Sequence, residues 1–175
     1  MAGSPSLTSR AVALTEHLAT RLRVDGHTVR QVRVRELPAE ALIGGDASDP
    51  EIAEVIGELA DATGVVVASG VYKATYSGVL KTLLDLLPQS VLAGKTVLPV
   101  LIGASLAHRL ALDHGLRPVL TALGARHVTR GLFLLDKQIE QVSGAVRLVA
   151  EAPRQVLDAV DDFQAALPHF GMATR

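Results

Sequence analysis

Between positions 69 and 78 the chain crowds Ser69, Gly70, Tyr72, Lys73, Thr75, Tyr76, Ser77 and Gly78 into one turn, a composition too polar and too aromatic for a plain connector. Aromatic residues are only 3% of the sequence, so two tyrosines in one loop favour a flat ligand. A second cluster, Ser4, Ser6, Thr8, Ser9 and Arg10, comes directly before Ala11, Leu14, Leu18 and Leu22 at helical spacing. Hydroxyls, a cation and the free N–H groups of a helix start suit a phosphate. The alternative is an ordinary serine-rich N-cap, which the cap preferences of Ser and Thr favour when the cluster is taken alone. A Walker A loop is excluded, because no Gly-Lys-Ser/Thr follows. A third stretch, Gly103-Ala104-Ser105, is followed by His108, whose lone imidazole gives no mechanism and reads as a hydrogen-bonded structural residue.

Other chemistries find no support. The six histidines lack HxH and HExxH spacing, and no carboxylate completes a facial triad, so no metal site is expected. There is no GxSxG elbow. Cysteine is absent, which excludes disulfides and thiolate chemistry and suits a reducing cytoplasm. Asp136, Asp161 and Asp162 read as solvated charges. Seventeen basic against eighteen acidic residues give a net charge of -1 with no charge run, so neither nucleic acid nor an anionic membrane surface is an expected partner. No apolar segment reaches the roughly 20 residues of a membrane span, and no signal-peptide core opens the chain.

The elements that must position these clusters alternate. Val65, Val66, Val67 and Ala68 form a buried parallel strand ahead of the polar turn, and Val79, Leu80, Leu83, Leu84, Leu86 and Leu87 form the helix after it, ended by Pro88. Residues 28–34 read as a half-wet strand near a sheet edge, 95–102 and 128–135 as further strands, and Ile52, Val55, Ile56 and Leu59 as a helix. The closing helix, 153–167, directs Val156, Leu157, Val160 and Phe163 inward. Strand, turn and helix in repetition predict one doubly wound parallel α/β domain over 1–175, and ligands bind at the carboxyl ends of its strands. The helix over 106–123 is irregular: Leu106 and Leu110 face one way, Leu116, Val119, Leu120 and Leu123 another. It either buries two faces, as at a subunit interface, or has locally broken winding such as a π-bulge, with Asp113, His114 and Gly115 at the change.

The residues Gly3-Ser4-Pro5 through Ser9-Arg10, then VYKATYSGVLKTLLDLLP over 71–88, then Ala107-His108 with 116–120 (LRPVL), resemble the NAD(P)H-dependent FMN reductases of alkanesulfonate utilisation. The resemblance spans nearly the whole chain and implies a three-layer flavodoxin-like fold. It also implies FMN and NADPH (or NADH) as nucleotides, delivery of reduced FMN to a partner flavin-dependent monooxygenase, and assembly as a homodimer or homotetramer. By the resemblance Ser4, Ser9 and Arg10 hold the FMN phosphate. Val71, Tyr72, Lys73, Ser77 and Gly78 line the isoalloxazine, and Gly103, Ala104 and Ser105 close its other side. The family usually has arginine where this chain has Ser6 and proline where it has Gly70, and a Thr-Gly-Gly-like turn where it has 102–105; where some members carry a π-helical tyrosine at a tetramer interface, it has His114.

Hydride transfer between nicotinamide and flavin needs two stacked rings in a partly dry cleft and no protein nucleophile, which fits the missing triad. Tyr72 is the preferred orienting contact. Two alternatives stay open: a flavin-retaining quinone or azo-dye reductase on the same fold, and a non-enzymatic FMN-binding electron carrier. The resemblance also places a first β-strand ahead of the GSP loop, where only Met1 and Ala2 stand, so the first strand is expected to be truncated. The natural reading frame is accordingly expected to begin upstream and to add about five or six apolar residues.

Overall fold

In the computed structural model the described residues are 1–142 and 145–168. The central parallel ladder places β1 (Ala2–Gly3) beside β2 (Gly64–Tyr72) and β2 beside β4 (Thr96–Gly103). The far edge of β4 carries β5 (His127–Val128) and β6 (Leu132–Leu135), while β3 (Thr75–Tyr76) folds back antiparallel on β2. A separate hairpin joins β7 (Ile139–Val142) to β8 (Ala145–Leu148). All eight residues of β4 are buried, as expected of a strand covered on both faces.

Alternation along the strands sorts the core into two layers. Val65, Val67, Val97 and Leu101 point to a core shared with Ile52 of α3 (Pro50–Asp61), Leu83 of α4 (Gly78–Leu86) and Leu120 of α5 (Arg117–Ala122). Ala68, Leu98, Val100 and Ile102 point the other way, to Leu14 and Leu18 of α1 (Arg10–Val24) and Val156 and Val160 of α6 (Ala152–Ala165). A short helix, α2 (Ala39–Gly44), completes the first side. The result is the doubly wound α/β arrangement that the alternating pattern implied, in the three-layer, flavodoxin-like form that the resemblance implied.

Four local readings change in the structure. Residues 28–32 are in no ladder, and Arg33 makes only an isolated parallel bridge to Ala2 of the two-residue β1. The strand expected over 128–135 breaks at residues 129–131. Opposite the break stands Pro99, which has no N–H to donate on that side of β4, and Gly131 adopts φ 84 to carry the chain past it. Leu157 is exposed, while Val156, Val160 and Phe163 are buried as expected. The irregular segment 106–123 proves to be broken winding: a 3₁₀ turn at Leu106–Arg109, a π-helical turn at Leu112–Leu116 holding Asp113, His114 and Gly115, and then α5.

The Met1 amine lies in the sheet, donating to Val66 O at 2.7 Å, and burial lowers its pKa from 8.0 to about 6. An amine depressed on folding binds fewer protons in the native state between those values, so stability rises with pH from 6 to 8 and the penalty is fully present below 6. At about 1.4 kcal/mol per pH unit the difference is roughly 3 kcal/mol. His27, Arg30, Arg33, Glu58 and Asp61 line the same cavity, so the amine's share must be isolated. Denaturation midpoints from pH 5.5 to 8.5 should climb for the free amine and flatten by that amount after N-terminal acetylation. Identical profiles would place the pH response elsewhere.

Candidate flavin crevice

Register brings the three sequence clusters to one edge of the sheet. Gly3 is opposite Ser69, Ser69 opposite Leu101, and Gly70 opposite Ile102, so residues 4–10, 70–78 and 103–105 all emerge at the carboxyl ends of β1, β2 and β4. This is the crevice where open α/β sheets bind ligands.

Ser77 stitches the first two clusters together. Its hydroxyl donates to Gly3 O at 3.0 Å and accepts from the Leu80 N–H at 3.2 Å, while its own N–H donates to Ser69 Oγ at 2.9 Å. Ser69 and Ser77 are fully buried, so these bonds are shielded from water. Ser77 thus reaches the crevice through its backbone, and its side chain is the N-cap of α4. The hairpin above it turns through Lys73 and Ala74, at φ 49 and 67. Two consecutive non-glycine residues with positive φ cost roughly 1–2 kcal/mol each, strain of the kind stored at ligand sites. Tyr72 leans from this hairpin toward the first loop, with its hydroxyl 3.3 Å from Ser4 Oγ. Tyr76 does not join it: its ring is buried in the core, so only one of the two tyrosines is left to meet a ligand.

The first loop is held from several directions. Buried Ser4 accepts from the Ser6 N–H at 3.2 Å, Ser6 accepts from the Thr8 N–H at 3.3 Å, and Arg35 Nε donates to Pro5 O at 2.9 Å. Ser9 caps α1 through the Val12 N–H at 3.4 Å, so the N-cap reading and the phosphate reading of this cluster coexist. No acidic side chain stands in the first turn of this 15-residue helix. Arg10 is half-exposed, donating through Nε to Ile139 O at 3.3 Å with Nη1 3.9 Å from Asp136 Oδ1. Asp136 therefore lies against a cation and is not solely solvated. The remaining guanidinium donors, the exposed hydroxyls and the helix terminus are a donor set suited to a phosphate.

On the far side Gly103 is bare backbone under crowded neighbours: a Cβ there would come within 2.9 Å of His108 Cβ and 3.1 Å of Phe133 Cζ. Ala104 and Ser105 are exposed at the rim, as are Lys73 and Gly78 across from them, while Val71 is half-buried. The buried His108 Nδ1 has no hydrogen-bond partner among the described residues, contrary to the hydrogen-bonded role expected of it. Arg35 and the clamping role of Ser69 were not anticipated, since Arg35 meets Pro5 across 30 residues of sequence and nothing local signals it.

A parallel α/β sheet with a small-residue crevice, a hydroxyl-rich loop at a helix start and a strained aromatic hairpin defines a flavodoxin-like nucleotide-binding protein. Comparison with known proteins sharpens this class. The NADPH-dependent FMN reductase family model matches residues 1–140, and the chain belongs to that family. It is 41% identical over 167 residues to an FMN reductase (NADPH) of Pseudomonas putida, covering 94% of this chain and 85% of the relative. It is likewise 41% identical over 139 residues to an FMN reductase (NADPH) of Escherichia coli K12, covering 79% and 73%. The apo form of the NADH:FMN oxidoreductase EMOB superposes with a TM-score of 0.81 at 40% identity, over 96% of this chain and 88% of that one.

Proposed function

We propose that this single-domain protein reduces FMN with NADPH or NADH and releases the product to a separate flavin-dependent monooxygenase of sulfonate desulfonation, in the cytoplasm and as a homodimer or homotetramer. The observation that carries the reading is the convergence of residues 4–10, 71–78 and 103–105 on one sheet edge of a chain in this family. FMN, when bound, supplies the ring that accepts hydride. The protein's part is placement. Ser4, Ser9 and Arg10 take the phosphate; Val71, Tyr72, Lys73, Ser77 and Gly78 bound one side of the ring, with Gly103, Ala104 and Ser105 on the other. Bare backbone at Gly103 lets His108 and Phe133 pack against the end of β4 beneath the rim formed by Ala104 and Ser105. Exposed Leu106 and Leu110, at 71% and 62%, stand next to the π-helical turn and give a partner subunit apolar surface to cover.

Steady-state oxidation of NADPH and NADH with free FMN as the varied substrate tests this. Flavin-free protein should show saturable dependence on FMN, and reduced FMN should be trapped by a separately added monooxygenase. Flavin retained through turnover, with a quinone or azo dye as the saturable acceptor, would replace this reading by that of a flavin-retaining reductase. Binding without turnover would leave an electron carrier.

A further inference from the structure

Residues 136–138 bring a fourth strand end to the crevice. Leu135, the last residue of β6, is opposite Gly103, so the 3₁₀ turn that follows leaves the sheet beside Ala104 and Ser105. A buried side chain holds this turn: Gln138 Oε1 accepts from the Leu135 N–H at 2.8 Å, and Gln138 Nε2 donates to Gln155 Oε1 at 3.4 Å. Asp136 opens the turn with its side chain half-exposed, so a stitched backbone carries its carboxylate at the crevice edge.

Arg10 reaches the same turn from α1. Its Nε donates to Ile139 O at 3.3 Å, directly after the turn, and its Nη1 stands 3.9 Å from Asp136 Oδ1. That separation makes an ion pair but is too long for a hydrogen bond. Asp136 therefore offsets the charge of Arg10 while leaving the Nη donors without a hydrogen-bond partner among the described residues. Residues 4–10 include no carboxylate, and none stands in the first turn of α1. Asp136 is thus the one acidic partner of Arg10 among the described residues, and an anion bound at residues 4–10 would share the guanidinium with it.

We propose that Asp136 sets how tightly the flavin phosphate is held: its carboxylate competes with the phosphate for Arg10 and keeps FMN exchangeable. This role rests on the reading that Ser4, Ser9 and Arg10 take that phosphate. Asp136 is a positioning residue, acting through the guanidinium and not on the ring. A phosphate monoester carries about −1.5 to −2 charges at neutral pH, so the two anions also repel each other across the crevice edge. Both effects weaken FMN, and neither acts on riboflavin, which has no phosphate. In a reductase that hands its reduced flavin on, a carboxylate at this point trades tight capture of the phosphate for release.

Asp136→Asn should bind FMN roughly three- to fivefold more tightly and release it correspondingly more slowly, the size expected of one half-exposed charge pair, with riboflavin unchanged. Fluorescence titration and stopped-flow release on the full chain read both. The gap between variant and parent should narrow as salt is raised. Asp136→Ser, a second neutral variant in case the first folds poorly, should match it, and Asp136→Glu should restore the parent affinity. Asp61→Asn removes the same charge at the opposite end of the sheet, just ahead of β2, and should alter neither flavin. In an Arg10→Ala background Asp136→Asn should lose most of its effect, because the shared guanidinium is gone. Unchanged FMN affinity in both neutral variants, with Arg10→Ala still weakening FMN more than riboflavin, would overturn the role of Asp136 and leave the phosphate site standing. Equal weakening of both flavins by Arg10→Ala would overturn the phosphate reading and this role together. Equal tightening of both flavins by Asp136→Asn would place its effect on the ring and likewise overturn the role.

Discussion

Alanine at position 3 should lower the unfolding free energy by about 3 kcal/mol, the upper end of what overpacking a buried site costs. The added Cβ would fall 2.3 Å from Leu80 Cβ, 2.6 Å from Leu80 Cα and 2.8 Å from Leu80 N. Two of those atoms are backbone in the first turn of α4, and Leu80 is fully buried, so no side chain can swing aside to make room. Either α4 moves or residues 3–9 move, and in both cases the Ser77 bond to Gly3 O is stretched. FMN binding should weaken along with stability. Gly57, in the exposed middle of α3, has nothing within 4 Å of its would-be Cβ, so Gly57→Ala should stabilise by roughly 0.5–1 kcal/mol. Urea denaturation of both variants reads the contrast, and Gly3→Ala as stable as Gly57→Ala would refute the close packing of loop on helix.

Removing the Arg10 guanidinium should cost FMN much more than riboflavin, because only FMN carries the phosphate. A charge-assisted hydrogen bond is worth about 1.5–3 kcal/mol, which predicts roughly a 10- to 100-fold weaker FMN dissociation constant for Arg10→Ala and little change for riboflavin. Arg10 also holds Ile139 O and approaches Asp136, so a purely structural role is a real competitor. Fluorescence titration of the two flavins separates them. Equal weakening of both would make Arg10 a brace for β7 and not a phosphate ligand.

Much of the architecture was legible because it is periodic. The apolar run at 65–68, the helical spacing of Leu80, Leu83 and Leu84, and that of Leu14, Leu18 and Leu22 each follow from burying one face or two, and the structure buries all of them except Val66, which is half-buried. Near His114 the spacing of Leu110 and Leu116 allowed either two buried faces or broken winding; the structure has the broken winding, a π-helical turn, and leaves Leu110 exposed.

Pairing across the sequence was not legible. Ser77 read as one polar loop residue among several, yet it holds Gly3 across 74 positions, and only the juxtaposition of β1 and α4 gives its hydroxyl that work. Tyr72 and Tyr76 looked equivalent in a short turn; the β2–β3 hairpin sends Tyr76 into the core and leaves Tyr72 at the crevice. Residues 28–34 have the alternation of a strand, but alternation sets which side chains are wet, not whether a neighbour is present to complete the ladder. Local sequence thus determined which segments are apolar on which face and where the chain must turn, since those depend on side-chain type and spacing alone. Which backbone groups meet, and so which hydroxyls are clamps and which are free for a ligand, was decided only when the tertiary fold brought distant segments into register.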